Sequence, residues 1–294
     1  MFHLPMSALE YDVGPKRILP IAITAVSFAA ILIRLSDSHP MAIAFYRMLF
    51  STLILLPFVP AYLPEIKKLG RSEWLIMITS GMFLAVHFAA WISSLSYTSV
   101  ASSVVLVTAH PIVVAWISGW YLGENTSRRA YTAILVALGG ISIMTISSFT
   151  AAGWSVKGDI LAIIGMLAVA GYLIRGREIR RNISVVPYVF VVYGISSLFL
   201  GVFSLGFGTS FEIYPIREYT LFFALALIPT VVGHTLYNYS LRYLEVRAVS
   251  TTLLGEPIVA SVLAFFILSE VPPILTVVGA AITLTGIYIC AKYS

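Results

Sequence analysis

The sequence predicts an all-α integral membrane protein, with ten transmembrane helices arranged as two inverted five-helix repeats around a central cavity. Three observations carry that prediction. The 294 residues are 59% hydrophobic and only 11% charged, with a mean hydropathy of +0.95, whereas a soluble domain is typically roughly 25% charged. Apolar stretches of about 20 residues recur along the whole chain, and each can cross a hydrocarbon core. The segment LVTAHPIVVAWISGWYLGE around His110 and Pro111 has a degraded copy, LLGEPIVASVLAFFILSE, at residues 253–270. A β-barrel is excluded, because its strands would alternate apolar and polar residues rather than run continuously apolar.

Taken in order, the spans are expected at residues 18–35, 41–60, 74–96, 98–121, 129–149, 158–175, 185–207, 220–241, 248–268 and 273–291. The connections are short and leave no room for a soluble domain. Spans 3 and 4 meet in a tight hairpin at Tyr97. Residues 1–15 contain Glu10 and Asp12, and the first apolar run is long enough to be a true span, so no cleavable signal peptide is expected. Cys290 is the one cysteine, which rules out an intramolecular disulfide.

Orientation follows from the basic residues. With a cytoplasmic N-terminus, Lys16, Arg17, Lys67, Lys68, Arg71, Arg128, Arg129, Arg175, Arg177, Arg180, Arg181, Arg242, Arg247 and Lys292 all fall on the cytoplasmic side. Only Arg34, Lys157 and Arg217 fall on the other, and Arg47 lies inside span 2. Both termini are therefore expected in the cytoplasm, in a bacterial-type inner (plasma) membrane. The net charge of +5 is this positive-inside signal, with a lipid bilayer as partner and no nucleic acid.

Setting His110-Pro111 on Glu256-Pro257 fixes a register of 146 residues, which runs without a gap from about residue 87 to residue 145. It pairs Ser94 with Ser240, Tyr97 with Tyr243, Glu124 with Glu270 and Gly140 with Gly286. A repeat unit of five spans is odd, so the second copy (residues 151–294) enters the membrane opposite to the first (residues 1–150). Such inverted repeats place a site near the midplane between the halves, at helices interrupted by a polar residue and a proline.

Polar residues within spans are costly and mark candidate sites. His110 precedes Pro111, whose missing N–H bends the helix and frees carbonyls for a cavity; a packing kink is the plain alternative. Glu256-Pro257 is its counterpart, able to bind an amine or accept a proton, or to serve structurally by taking backbone hydrogen bonds or pairing with a buried basic group. The two prolines are the expected hinges. His87, Trp91 and Ser94 share one helical face, and the register sets Gly233, Tyr237 and Ser240 on the same positions of span 8. Trp91 and Tyr237 can then form two aromatic walls. Arg47 can attract a carboxylate or clamp helix carbonyls; Tyr46 beside it is a further candidate. His234 and Asn238 read as an interhelical hydrogen-bonding pair, with Asn238 adjoining the Tyr237 face. Glu124 and Glu270 are expected to cap the next helix or to pair with loop cations such as Arg128. Gly139, Gly140, Gly279 and Gly286 suit close helix packing. No enzyme signature and no Walker A loop occurs, so no cofactor or metal is expected and uphill transport would draw on a gradient.

Arg47, the Pro111-to-Glu124 block, the Glu256-Pro257-to-Glu270 block and the Gly140 and Gly286 endings together resemble the drug/metabolite transporter superfamily in its EamA-type, ten-helix form. The chain overall looks most like the YddG-type exporters of aromatic and other amino acids. That resemblance implies alternating access around a central cavity and export of an amino acid or similar small molecule. A histidine or Glu256 could exchange protons, with movement down an amino acid gradient equally allowed, and a monomer is the sufficient unit. Export of other small metabolites or amphipathic drugs is the first alternative. A non-transporting membrane scaffold, tightly packed and without a cavity, is the second.

Overall fold

Long apolar runs without internal charge leave the backbone no partner in lipid except itself, so these segments form helices. The computed structural model describes residues 14–97, 103, 106–124, 126–146, 156–206, 208, 213–268 and 274–293. Its helical segments are α1 (Pro15–Arg34), α2 (Pro40–Ile66), α3 (Arg71–Ser94), α4 (Leu106–Tyr121) and α5 (Arg128–Ile146). They continue as α6 (Val156–Arg180), α7 (Val185–Gly206), α8 (Ile216–Ser240), α9 (Val246–Ile267) and α10 (Ile274–Tyr293). Among the described residues, seven of these are long and apolar enough to cross a membrane, and Leu106–Tyr121 and Val277–Cys290 are shorter apolar helices. A turn runs over residues 95–97, one residue before the expected end of span 3; the residues that would complete the hairpin expected at Tyr97 lie outside the described residues, as do Glu270 and the end of span 5.

Two helices are broken where the sequence pairs a polar residue with proline, although the break is not the expected mid-helix kink. Ala109 is a turn, and a fresh helix starts at His110, with Pro111 in its first turn. In α9 a 3-10 turn over Leu253–Gly255 separates Val246–Thr252 from a helix that starts at Glu256. Proline in a first helical turn lacks an N–H that would be unpaired there anyway.

Residues 146 apart meet one another. A Cβ on Gly140 would stand 2.4 Å from Thr283 Oγ1 and 2.6 Å from Gly279 O, and one on Gly286 would stand 2.5 Å from Ala137 N and 2.7 Å from Ala133 O. Each glycine thus lies on the other's counterpart surface, which brings the backbones of α5 and α10 into contact, joined further by Thr283 Oγ1 donating to Ala137 O at 3.2 Å. Gly139 is different from expectation: nothing stands within 4 Å of its Cβ position, so it takes no part in this seam. Nearer the centre, the rings of Phe88 and His234 touch edge to face at 5.5 Å between centroids.

At the basic end, Glu124 ties several helices together. Oε1 accepts from Arg177 Nε at 2.6 Å and from Arg181 Nη2 at 2.9 Å, while Oε2 accepts from the backbone N–H of Val246, the first residue of α9, at 3.0 Å. Arg177 Nη1 also donates to Leu241 O at 2.7 Å, just past α8. The expected helix-capping role is therefore met at α9 instead of the next helix, and the cations come from α6 and its following turn instead of Arg128. At the opposite end, Glu218 accepts from Ser38 Oγ at 2.7 Å and from Ser36 Oγ, which clasps the α1–α2 connection to the start of α8.

Two outcomes follow for stability in detergent. Gly140→Leu and Gly286→Leu should each lose about 1–3 kcal/mol by forcing two backbones apart, read as a lowered melting temperature, while Gly139→Leu leaves the melt unchanged. Glu124→Gln should lose about 1.5–3 kcal/mol of charge-assisted hydrogen bonding, and Arg128→Ala should lose nothing measurable in the same melt.

Candidate functional site

One interior cavity of about 50 Å³ collects most of the residues singled out in the sequence: Arg47 of α2, His87 and Trp91 of α3, His110 of α4, Tyr237 of α8 and Glu256 of α9 all line it. Phe88, Tyr172 and His234 complete its aromatic wall. The lining side chains are held tightly. Trp91 is 5%, His110 4%, Tyr237 2% and Arg47 0% exposed, so protein covers most of the cavity, while Glu256 is only half-buried. Its size corresponds to a few water molecules.

Helical spacing places these groups. His87 and Trp91 stand one turn apart on α3 and their rings stack, with centroids 5.8 Å apart and planes 6° apart. His87 Nδ1 lies 2.9 Å from Gly165 O, and His110 Nδ1 lies 3.1 Å from Val107 O. A carbonyl can only accept, so each Nδ1 carries the proton and each neutral ring keeps Nε2 as an acceptor. The His110 Nε2 is buried without a partner. Gly165 is what allows this approach, because a Cβ there would sit 3.3 Å from Trp91 Cβ.

Arg47 acts as a clamp, though on a side-chain hydroxyl and a ring and not on the helix carbonyls expected for it. Its Nε donates to Thr230 Oγ1 at 2.7 Å, and its guanidinium carbon lies 4.1 Å from the centre of the Phe88 ring, so part of the side chain is a structural clamp. Its Nη1 has no hydrogen-bond partner, and the same is true of Trp91 Nε1 and Tyr237 Oη. Glu256 lines the same cavity, and among the described residues no ion pair joins its carboxylate to Arg47. The cavity thus offers hydrogen-bond donors, acceptors, one basic and one acidic group, the last two not joined in an ion pair.

Two expected residues lie elsewhere. Tyr46 follows a different face of α2 and stacks on Phe222 at 5.0 Å, within a cluster that includes Tyr214 and Tyr219. Asn238 donates to the backbone carbonyl of His234 at 2.7 Å and to the Tyr172 hydroxyl, so it buttresses α8 behind the cavity wall. Ser94 and Ser240 bond backbone carbonyls near their own helices and do not reach the cavity. Conversely, His234, expected to form an interhelical hydrogen-bonding pair with Asn238, lines the cavity. The register held the signal, since it sets His234 on Phe88, one step along the helix from His87.

A second cleft of about 830 Å³ lies against the opposite face of α3, lined among others by His39, Ala89, Ser93, Tyr97, Lys157 and Phe203. It is larger, but among the described residues Lys157, in the first turn of α6, is the one charged residue in its lining, and neither Arg47 nor Glu256 lines it. Chemistry places the candidate site at the inner cavity.

The EamA-like transporter family model matches this chain twice, over residues 18–146 and 156–291. An uncharacterized transporter of Archaeoglobus fulgidus is 26% identical over 280 residues, covering 92% of this chain and 94% of the relative. The S-adenosylmethionine uptake transporter of Rickettsia prowazekii is 24% identical, covering 83% and 80%. A probable terminal-alkyne amino-acid exporter of Streptantibioticus cattleyicolor is 24% identical, covering 74% and 68%. A protein of known crystal structure shares the fold at a TM-score of 0.80 and 14% identity, over 95% of this chain and 96% of that one. With both halves matched by one family model, the chain belongs to the EamA-like transporter family.

Proposed function

We propose that this transporter exports amino acids, aromatic and hydrophobic ones foremost, by alternating access through the inner cavity. One observation carries the reading: Arg47 and Glu256 line one buried cavity without pairing with each other, and Arg47 Nη1 is left open. Holding a basic and an acidic group at one largely buried cavity without joining them is expensive. A zwitterion offers each the partner it lacks. The α-carboxylate goes to Arg47, and the α-ammonium goes to Glu256 and the Nε2 acceptors of His87 and His110. Trp91 and Tyr237 then flank the side chain with flat apolar faces that carry a hydrogen-bonding edge. The names of two relatives fit this head group, since S-adenosylmethionine and an amino acid with a terminal alkyne both carry an α-amino acid moiety.

A cavity of about 50 Å³ is too small for phenylalanine, so loading requires the halves (residues 1–150 and 151–294) to part. The helix breaks at His110-Pro111 and Glu256-Pro257 are the proposed pivots, because each separates two helical segments with a residue or short turn that can absorb rotation. The basic end is taken as cytoplasmic, with both termini on that side of a bacterial-type inner membrane and the monomer as the working unit. The enclosure of His87, Trp91 and Tyr237 is also what a non-transporting scaffold would show; the cavity between them, with its unbonded polar atoms, is what favours transport. Protons are the candidate coupling ion, and movement down an amino acid gradient alone meets the same geometry.

In proteoliposomes, radiolabelled phenylalanine, tyrosine and tryptophan should move faster than in protein-free vesicles; no movement of any of them sinks the proposal. Arg47→Gln should lower the transport efficiency for these zwitterions by at least about tenfold, the loss of one charge-assisted hydrogen bond. Trp91→Ala and Tyr237→Ala should raise the half-saturation concentration for phenylalanine more than for alanine, and an equal effect on both solutes would remove the aromatic walls from the account.

A further inference from the structure

Beside Arg47, α8 abandons α-helical winding. Its residues Ala226–His234 form a π-helical stretch of nine residues, where such geometry is ordinarily confined to single turns and frequently marks functional sites. Pro229 supplies the cause. It has no N–H to give the carbonyl of Leu225, and its ring crowds that carbonyl away. The hydroxyl of Thr230 takes over, with Oγ1 donating to Leu225 O at 2.9 Å, five residues back.

That same hydroxyl oxygen accepts from Arg47 Nε at 2.7 Å. The winding is braced from two other sides. Tyr193 Oη donates to Thr230 O at 3.3 Å, and Ser51 Oγ, one turn beyond Arg47, reaches Ala226 O at 3.3 Å. Thr230 is fully buried and does not line the cavity.

We propose that Thr230 is the positioning residue for the substrate carboxylate, acting through Arg47; this rests on the reading of Arg47 as the carboxylate anchor. A guanidinium has five N–H donors in a rigid plane, so occupying Nε sets the direction of the rest. With Nε held by Thr230 and the flat face against Phe88, the guanidinium is fixed in place, with Nη1 left unbonded in a side chain that lines the cavity. Without the hydroxyl, Nε is buried with no acceptor, and the guanidinium turns to the only carboxylate that shares its cavity, Glu256. The two charges then neutralise each other and the zwitterion loses both contacts.

Thr230→Val keeps the branched shape and removes the hydroxyl; Thr230→Ser keeps the hydroxyl. Phenylalanine flux should show a half-saturation concentration about tenfold higher in Thr230→Val, with maximal rate within about twofold, and recovery in Thr230→Ser. In an Arg47→Gln background, Thr230→Val should add nothing, because the two act as one unit. A half-saturation unchanged by Thr230→Val, or Thr230→Ser as impaired as Thr230→Val, overturns the inference. Failure of the wild type to carry phenylalanine would instead count against the amino acid reading. A readout independent of any solute separates the two. In arginine-labelled protein the Nε–H resonance of Arg47, identified by its loss in Arg47→Lys, should resist solvent exchange in wild type and Thr230→Ser and exchange in Thr230→Val. Equal protection in Thr230→Val overturns the inference whatever the solute.

Discussion

A guanidinium buried in a bundle made almost entirely of apolar side chains is the constraint on which the centre of this molecule depends. Removing such a cation from water costs several kcal/mol even after relaxation, and in a membrane interior the cost falls on a short list of tolerated positions. Arg47 is fully buried. It recovers part of that cost from the Thr230 hydroxyl and part from the face of Phe88, a cation–π contact worth about 2 kcal/mol when desolvated. Nη1 recovers nothing within the protein. A donor left unmade in this way costs about 1–3 kcal/mol, a deficit that a bound carboxylate removes.

The surroundings follow from that demand. α8 must present an oxygen to α2 at mid-depth, which an unbroken apolar α-helix does not do, and Pro229 with Thr230 brings it about. α3 supplies Phe88 beside His87 and Trp91, so one helix face serves both the clamp and the cavity wall. The halves touch through positions 146 apart, Phe88 on His234 and Gly140 and Gly286 on each other's helices. The likeness stops where the chemistry starts. His110 has Glu256 at its matching position, and Pro229 has Phe83. The duplicated scaffold is thereby unsymmetrical at the cavity.

Much of this was legible because apolar helices make each polar exception conspicuous. Arg47, His87, His110 and Glu256 stood out for that reason, and the register added Trp91 and Tyr237. Errors came at adjacent residues. Tyr46 is next to Arg47 and Asn238 next to Tyr237, and a single step along a helix turns the side chain by about 100°, into an aromatic cluster in one case and behind α8 in the other. Thr230 could not be found by period, since π-winding shifts the register of everything after residue 226. The partners of Glu124 were hidden because Arg177, Arg181 and Val246 are brought to it by tertiary packing that no local pattern encodes.

Binding by purified protein tests most directly whether one cavity reads both ends of a zwitterion. Phenylalanine, 3-phenylpropanoate and 2-phenylethylamine share a ring and differ only in which charges they carry, so titrating each by calorimetry isolates the two contacts. Phenylalanine should bind at least about a hundredfold tighter than either analogue, the equivalent of one unpaired buried charge at roughly 3 kcal/mol. An analogue that lacks one charge yet binds as tightly as phenylalanine would contradict the pairing of Arg47 and Glu256 with a single solute.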